Sequence, residues 1–189
     1  MLIPLKLKQI FSPLVKLFIA KKIFSAPSNN NIPANAIYDI SVKDIDGNLE
    51  NLSKYKGYKL LIVNVASECG YTPQYTQLQE LYKTHQPKLM ILGFPSNDFG
   101  RQEPGSNEQI KIFCSEQYNV TFPLFLKSSV KGEHRNPLYQ WLSDKNLNGW
   151  CNEQPSWNFC KYLVDENGRL LNYFSQLVGP FDKEILKNL

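Results

Sequence analysis

The chain has 189 residues, 42% of them apolar and 20% charged, which is typical of one globular domain with a full hydrophobic core. The first 38 residues contain five lysines and no acidic residue, whereas the remaining chain has 16 basic and 17 acidic residues. Because the basic charge belongs to one end, the composition argues against a nucleic-acid-binding domain.

Residues 1–36 are predicted to be a basic N-terminal extension and linker, followed by one domain over residues 37–189. Within residues 1–25, the longest charge-free run covers residues 9–15, whereas a transmembrane helix needs about 20 apolar residues. Four interpretations stay open: an organelle-targeting segment, peripheral membrane contact through residues 1–24, packing on the domain, and a secretory signal. Residues 25–36 are rich in turn formers and predict a linker. We expect a cytoplasmic or organellar protein, with a secreted or periplasmic location less favoured.

The first half of the domain has the pattern of strands separated by one helix. Residues 38–43 alternate between apolar and polar side chains, which predicts a strand. Residues 60–66 and 89–94 are apolar runs that are typical of strands covered on both faces. Thr72 is predicted to be the N-cap of the helix between them, with Pro73 at its first position.

The second half begins with a helix and ends with a hairpin and a further helix. Ser106 followed by Gln109 has the pattern of a capping box. Residues 120–127 predict a strand, and residues 162–174 predict a β-hairpin, with a last helix near Pro180. This order predicts an α/β, thioredoxin-like fold, with a mixed central sheet and helices on both faces.

The four cysteines, Cys69, Cys114, Cys151 and Cys160, are too sparse for a fold built on disulfides. No pair has Cys-x-x-Cys spacing and only two histidines are present, so we predict neither a metal site nor a dithiol motif. Cys69 follows a buried strand, where α/β folds place their ligands, and precedes a helix whose free N–H groups favour an anion. A buried inert thiol and a reactive thiolate both fit this position.

Three segments resemble the signature regions of the glutathione peroxidase family. They read NVASECGYTPQYTQL at residues 64–78, GFPSNDFGRQEPGSNEQI at residues 93–110 and WNFCKYLVDENG at residues 157–168. The resemblance extends over roughly residues 36–185, and its motifs are long and in order.

Within these segments, the resemblance implies that Cys69 reacts with peroxide. It also implies that Gln102, Trp157 and Asn158 hold the thiolate by donating side-chain N–H groups. Each of the three also has a structural interpretation, as a solvated loop glutamine, a core tryptophan and a turn asparagine.

The implied function is a thiol-dependent peroxidase that reduces hydrogen peroxide and organic or lipid hydroperoxides through a cysteine sulfenic acid, in oxidative-stress defence. No bound cofactor is expected, and a thiol reductant acts as co-substrate, with thioredoxin favoured over glutathione. An alternative is a non-catalytic sensor that passes the oxidation of Cys69 to a partner. A copper-delivery protein on the same fold is disfavoured, because no second cysteine lies near Cys69 in the sequence.

Cys114 matches the resolving cysteine of the family members that use thioredoxin. Its alternative interpretation is a core residue, since it shares a helical face with Ile110 and Phe113. A disulfide needs Cα atoms within about 7 Å, so a bridge to Cys69 requires this helix to unwind in part. If no bridge forms, a small thiol such as glutathione remains to reduce the sulfenic acid. The resemblance also implies a monomer, because the connection over residues 142–157 is short.

Overall fold

The computed structural model describes residues 20–27 and 37–189. Its strands are β1 Ile23–Ser25, β2 Ser41–Lys43, β3 Leu49–Asn51, β4 Lys59–Val65, β5 Leu89–Pro95, β6 Lys161–Val164 and β7 Leu170–Phe174. Its α-helices are α1 Gln74–Thr84, α2 Asn107–Tyr118, α3 Pro137–Leu142, α4 Lys145–Asn148 and α5 Lys183–Leu186, and its 3-10 turns are Ile37–Asp39 and Leu52–Tyr55. The main sheet has the strand order β1-β7-β6-β4-β5, and β2 and β3 form a separate hairpin.

The main sheet is mixed, as predicted. β4 and β5 run parallel on either side of α1 in the chain, whereas β4 with β6, β6 with β7 and β7 with β1 pair antiparallel. Side chains of β4 alternate between two core clusters, with Leu60 and Ile62 in one and Leu61 and Val63 in the other. Side chains from both faces of β4 are therefore covered, which explains an apolar run that only Asn64 interrupts.

Helices supply the cover on each face. α1, α2 and α5 contribute Leu78, Ile110 and Ile185 to the cluster that contains Cys69, and α3 contributes Leu138 to the other cluster. α2 begins as predicted, because Ser106 and Gln109 form a complete capping box.

The first predicted strand of the domain is confirmed only in its second half. β2 covers Ser41–Lys43 and pairs with β3, with Val42 buried between two exposed residues. Residues 37–39 instead form a 3-10 turn, in which the consecutive side chains of Ile37 and Tyr38 are both buried.

The predicted strand over residues 120–127 is wrong, because these residues make only isolated bridges at Leu124 and Phe125. Pro123 has no N–H to donate, so it cannot continue a ladder of hydrogen bonds. The segment instead lies close to Gly93 of β5, where a Cβ atom would stand 2.7 Å from Leu124 Cδ2. A glycine at this position lets the segment lie close beside β5, the edge strand of the sheet.

Residues 23–25, which we had predicted to belong to the extension and linker, form the edge strand β1 and pair with β7. Without β1, β7 would leave a row of N–H and C=O groups unpaired at the edge of the sheet. Residues 1–19 and 28–36 lie outside the described residues, so the interpretations of the extension stay predictions. No helix within the described ranges is long and apolar enough to cross a membrane.

Candidate active site

Cys69 lies in the loop that leaves the carboxyl end of β4 and enters α1. Its side chain is 7% exposed and belongs to the core cluster that also contains Val65 and Ala66. The backbone N–H of Tyr71 donates to Cys69 Sγ at 3.5 Å. The thiol therefore lies at the edge of the core, with one backbone donor already directed at the sulfur.

Thr72 fixes the turn that holds Cys69. Its Oγ1 accepts from the Cys69 N–H at 3.0 Å and donates to the Ala66 carbonyl at 2.9 Å. The hydroxyl thereby pairs one buried donor and one buried acceptor. The prediction that Thr72 caps α1 is wrong, because the helix begins at Gln74 and no side chain caps it. The sequence Thr-Pro is equally compatible with a threonine that caps a helix and with a threonine that stabilises the turn before it.

Replacing Thr72 by valine keeps the volume of the side chain but leaves the Cys69 N–H and the Ala66 carbonyl unpaired. We expect the free energy of unfolding, measured by urea denaturation, to fall by about 1–3 kcal/mol. Thr72→Ser retains the hydroxyl and is expected to stay closer to the wild type. Equal stability of the valine and serine variants would contradict this role for the hydroxyl.

Gln102 lies in the loop between β5 and α2 and joins the other two segments of the site. Its backbone carbonyl accepts from the N–H of Glu68, the residue before Cys69, at 2.9 Å. Its Oε1 accepts from Asn158 Nδ2 at 3.0 Å. One glutamine therefore connects all three regions that the sequence analysis singled out.

Trp157 and Asn158 lie in the turn before β6, and Asn64 of β4 holds this turn. Asn64 Nδ2 donates to the Trp157 carbonyl at 2.9 Å, and the Asn64 carbonyl accepts from the Phe159 N–H at 2.6 Å. Trp157 packs against the core cluster that contains Cys69. The single polar residue in the apolar run of β4 thus positions the third segment.

Two side-chain N–H donors of the three segments have no hydrogen-bond partner among the described residues. Asn158 Nδ2 is directed at Gln102 Oε1 and at the Phe99 carbonyl, 3.5 Å away, although we had expected it to hold the thiolate. Neither Gln102 Nε2 nor Trp157 Nε1 forms a hydrogen bond to a residue within the described ranges. Asn158 therefore orients the Gln102 amide, whose N–H groups remain available.

Backbone strain occurs directly beside the site side chains. Arg101, before Gln102, has φ 56°, and Phe159, after Asn158, has φ 66°. Left-handed conformations of non-glycine residues cost about 1–3 kcal/mol and persist only where their surroundings hold them. Phe159 is fully buried, and its N–H bonds to Asn64. Strain held in this way is typical of functional sites.

Glu103 was missed by the sequence analysis, because a carboxylate in a loop with proline and glycine is usually solvated. Here its side chain is fully buried, and neither carboxylate oxygen has a hydrogen-bond partner in the described part of the chain. It lines a cleft of about 420 Å³ with Ser67, Glu68 and residues of α2. Burial raises the pKa of Glu103 to about 7, although Ser67 and Lys127 partly oppose the shift.

Replacing Glu103 by glutamine tests this burial through stability. Because the pKa of the folded state lies above the ordinary value of 4.5, the contribution of Glu103 to stability is full below pH 4.5 and is lost as the pH rises through about 7. Since the charged form of this carboxyl is disfavoured by burial, we expect Glu103→Gln to raise the free energy of unfolding at pH 8 by about 1–3 kcal/mol. Denaturation at pH 5 and pH 8 measures this, with the exposed Glu68→Gln as control. An unchanged pH dependence would contradict the burial.

Cys114 lies inside α2, is fully buried and belongs to the same core cluster as Cys69. Burial raises the pKa of the Cys114 thiol to about 11, while the neighbouring Tyr75 hydroxyl lowers it in part and the Glu103 charge raises it further. All four cysteines are free thiols. Cys114 is packed in the core, as its position on the apolar face of α2 predicted. To act as the resolving cysteine, it would have to move out of this packing.

The remaining cysteines, Cys151 and Cys160, belong to the core cluster that does not contain Cys69. Cys151 belongs to the opposite core cluster, and burial raises its pKa to about 11. Cys160 Sγ accepts from the Tyr173 hydroxyl at 3.4 Å. Within residues 20–27 and 37–189, no group of three His, Cys, Asp or Glu side chains is placed to hold a metal ion.

A mixed sheet with a thiol loop at the carboxyl end of a central parallel strand defines a thioredoxin-like protein with a thiol site. A DsbF homologue from Corynebacterium diphtheriae has the same fold, with a TM-score of 0.61 over 88% of this chain and 92% of that chain, at 14% identity. The predicted fold class is confirmed.

The chain belongs to the glutathione peroxidase family, since residues 37–143 match the family described as glutathione peroxidase. Glutathione peroxidase-like peroxiredoxin 2 of Saccharomyces cerevisiae is 46% identical over 153 residues, which cover 79% of this chain and 94% of that protein. Glutathione peroxidase homolog BsaA of Staphylococcus epidermidis is 45% identical over 146 residues, covering 77% and 92%. The crystal structure of Trgpx in its apo form is 33% identical, with a TM-score of 0.62 over 82% of this chain and 95% of that chain.

These matches confirm the resemblance drawn from the three segments. They make the chain a thiol peroxidase, an enzyme of the oxidoreductase class.

Proposed function

We propose that this peroxidase reduces hydrogen peroxide and organic or lipid hydroperoxides through a sulfenic acid on Cys69, in defence against oxidative stress. Thioredoxin is the proposed reductant, ahead of glutathione, and no bound cofactor takes part. The observation that carries the proposal is the junction of three separate segments beside the Cys69 loop, with the N–H donors of Gln102 and Trp157 uncommitted.

The first step is the attack of the Cys69 thiolate on one peroxide oxygen. The O–O bond breaks, the sulfur becomes a sulfenic acid, and the second oxygen leaves as water or an alcohol. In our proposal, Gln102 Nε2 and Trp157 Nε1 stabilise the thiolate and the leaving oxygen, as donors at a developing charge do. Because both groups are neutral, they cost less to bury than a lysine would.

The second step returns the sulfur to its reduced state through Cys114. The proposal rests on the position of Cys114 in the same core cluster as Cys69 and on its free thiol. Because the thiol is buried inside α2, we propose that part of this helix unwinds before the disulfide forms. Thioredoxin then reduces the disulfide by thiol exchange.

A coupled assay tests the proposed function. The wild-type protein is given hydrogen peroxide or tert-butyl hydroperoxide, with either thioredoxin and its reductase or glutathione and its reductase. We expect many turnovers with thioredoxin and slower turnover with glutathione. Oxidation by a single equivalent of peroxide, without turnover with either reductant, would contradict the enzyme and favour a sensor.

Replacing Gln102 by alanine removes one proposed donor. Hydrogen bonds to charged groups contribute about 1.5–3 kcal/mol, so we expect the rate constant of Cys69 oxidation to fall about 10- to 100-fold. Gln117→Ala, which truncates an exposed glutamine on α2, is the matched control and should react as the wild type does. Stopped-flow mixing with peroxide measures the rate, and equal rates for both variants would remove Gln102 from the mechanism.

A further inference from the structure

The start of α1, directly after the Cys69 loop, has no side-chain cap of its own. The Gln74 N–H donates to the Tyr71 carbonyl at 2.9 Å, and the Tyr71 N–H donates to Cys69 Sγ at 3.5 Å. Backbone hydrogen bonds thus connect the first residue of the helix to the donor that reaches the sulfur. Because uncapped helix ends fray, contacts with other elements are needed to hold this turn in place.

The side chain of Gln74 supplies these contacts, and both polar atoms of its amide are paired. Its Oε1 accepts from Lys161 Nζ at 2.5 Å, and its Nε2 donates to the Gln176 carbonyl at 2.9 Å. Lys161 is fully buried, and its Nζ also donates to the Val178 carbonyl at 2.6 Å. Since a buried amino group is costly unless it is hydrogen-bonded, Gln74 and the Val178 carbonyl are what allow a lysine at this place.

The directions of the strands explain why these groups meet beside the Cys69 loop. β4 and β7 both pair antiparallel with β6, so the carboxyl ends of β4 and β7 lie at the same edge of the sheet as the start of β6. The Cys69 loop follows β4, Lys161 is the first residue of β6, and residues 175–178 follow β7. Gln74 therefore attaches the start of α1 to two other parts of this edge.

We propose that Gln74 is a positioning residue for the oxidation of Cys69. Its side chain holds the start of α1 against the sheet, and the start of α1 in turn keeps the Tyr71 N–H directed at the sulfur. The inference rests on the proposed function, because it concerns the first step of that cycle. Gln74 acts through this turn rather than on the reacting atoms.

Gln79, further along α1, provides a matched comparison. Its amide is also paired at both polar atoms, because Nε2 donates to Thr121 Oγ1 at 2.7 Å and Oε1 accepts from the Thr121 N–H at 2.8 Å. Gln79 is buried, but it attaches the middle of the helix rather than its start. Loss of the Gln79 amide should therefore lower stability without reaching the Cys69 loop.

The test measures Cys69 oxidation and stability separately in the full-length protein, by stopped-flow mixing with hydrogen peroxide and by thermal melting. Gln74→Met keeps the length of the side chain but removes both polar atoms. We expect it to slow oxidation about 10-fold, since misplacing a group beside reacting atoms by about 1 Å can cost about 100-fold. Gln79→Met should also melt at a lower temperature, yet oxidise within about twofold of the wild type, because distant sites act independently.

Two further variants show whether the contact with Lys161 is responsible. Gln74→Glu keeps the acceptor for Lys161 and should oxidise within about threefold of the wild type, since only one neutral hydrogen bond is lost. Lys161→Met removes the other end of the same contact and should slow oxidation as Gln74→Met does. The double variant should be no slower than either single variant, because the two changes remove one shared interaction. If Lys161→Met does not fold, the comparison of Gln74→Met with Gln74→Glu decides.

The outcomes distinguish this inference from the proposed function. Oxidation of Gln74→Met at the wild-type rate would overturn the positioning role alone. An equal loss in Gln79→Met would do the same, because general loosening of α1 would then be sufficient, and so would the absence of recovery in Gln74→Glu. A wild-type protein whose Cys69 is not oxidised by peroxide would instead overturn the proposed function itself.

Discussion

Cys69→Ser is expected to lower peroxide consumption with thioredoxin by at least about 10³-fold, because a serine hydroxyl in place of the thiol removes the nucleophile of the first step. Serine differs from cysteine by one atom, and the Cys69 N–H keeps its hydrogen bond to Thr72. The loss should therefore appear in the rate and leave the folded structure intact. The coupled thioredoxin assay, run beside a thermal melt, measures both.

The control for this variant is Cys151→Ser. Cys151 is as well buried as Cys69 but belongs to the opposite core cluster. We expect it to retain peroxidase activity near the wild-type level. Retained activity in Cys69→Ser, or equal losses in both variants, would contradict the assignment of the reactive sulfur.

Cys114→Ser is expected to separate the two halves of the cycle. The first oxidation of Cys69 should proceed at the wild-type rate, because Cys114 takes no part in it. Steady-state turnover with thioredoxin should fall about 100-fold, because the sulfenic acid then has to wait for an external thiol. Only well-oriented intramolecular reactions reach effective molarities of about 10⁵ M, and the need to unwind α2 makes the expected loss smaller than that figure. Glutathione, a small thiol, should support the remaining turnover better than thioredoxin does.

Burst and steady-state measurements on the same samples check this expectation. Cys160→Ser, which removes another fully buried thiol, is the matched control and should keep steady turnover with thioredoxin. A Cys114→Ser variant that turns over with thioredoxin as fast as the wild type would show that α2 does not supply the resolving thiol. The packing interpretation of Cys114 would then be sufficient.

The elements with strong local signals were predictable from sequence. The run of β4 is apolar because both faces are covered, and the capping box of α2 depends on residues three positions apart. Residues 120–127 were not predictable in the same way. Their β-rich composition predicts a strand, but strand pairing depends on partners elsewhere in the chain, and Pro123 offers no donor.

The site residues were also predictable only where the sequence carries a local signal. Motif context pointed to Cys69, Gln102 and Trp157, and the structure ties their segments together, although their roles stay proposals. The hydroxyl of Thr72 and the burial of Glu103 were not visible in the sequence. Both features depend on which residues contact Thr72 and Glu103 in the folded chain. The sequence around a loop threonine or glutamate does not indicate such contacts.

The most direct test of the account is to identify the sulfur that peroxide oxidises. The Cys114→Ser variant, which cannot form the proposed bridge, is treated with one equivalent of hydrogen peroxide in the presence of dimedone, a reagent that traps sulfenic acids, and the labelled peptides are mapped by mass spectrometry. We predict a stoichiometric label on Cys69 and none on Cys151 or Cys160. A label on another cysteine, or peroxide consumption without a label on Cys69, would contradict the central claim.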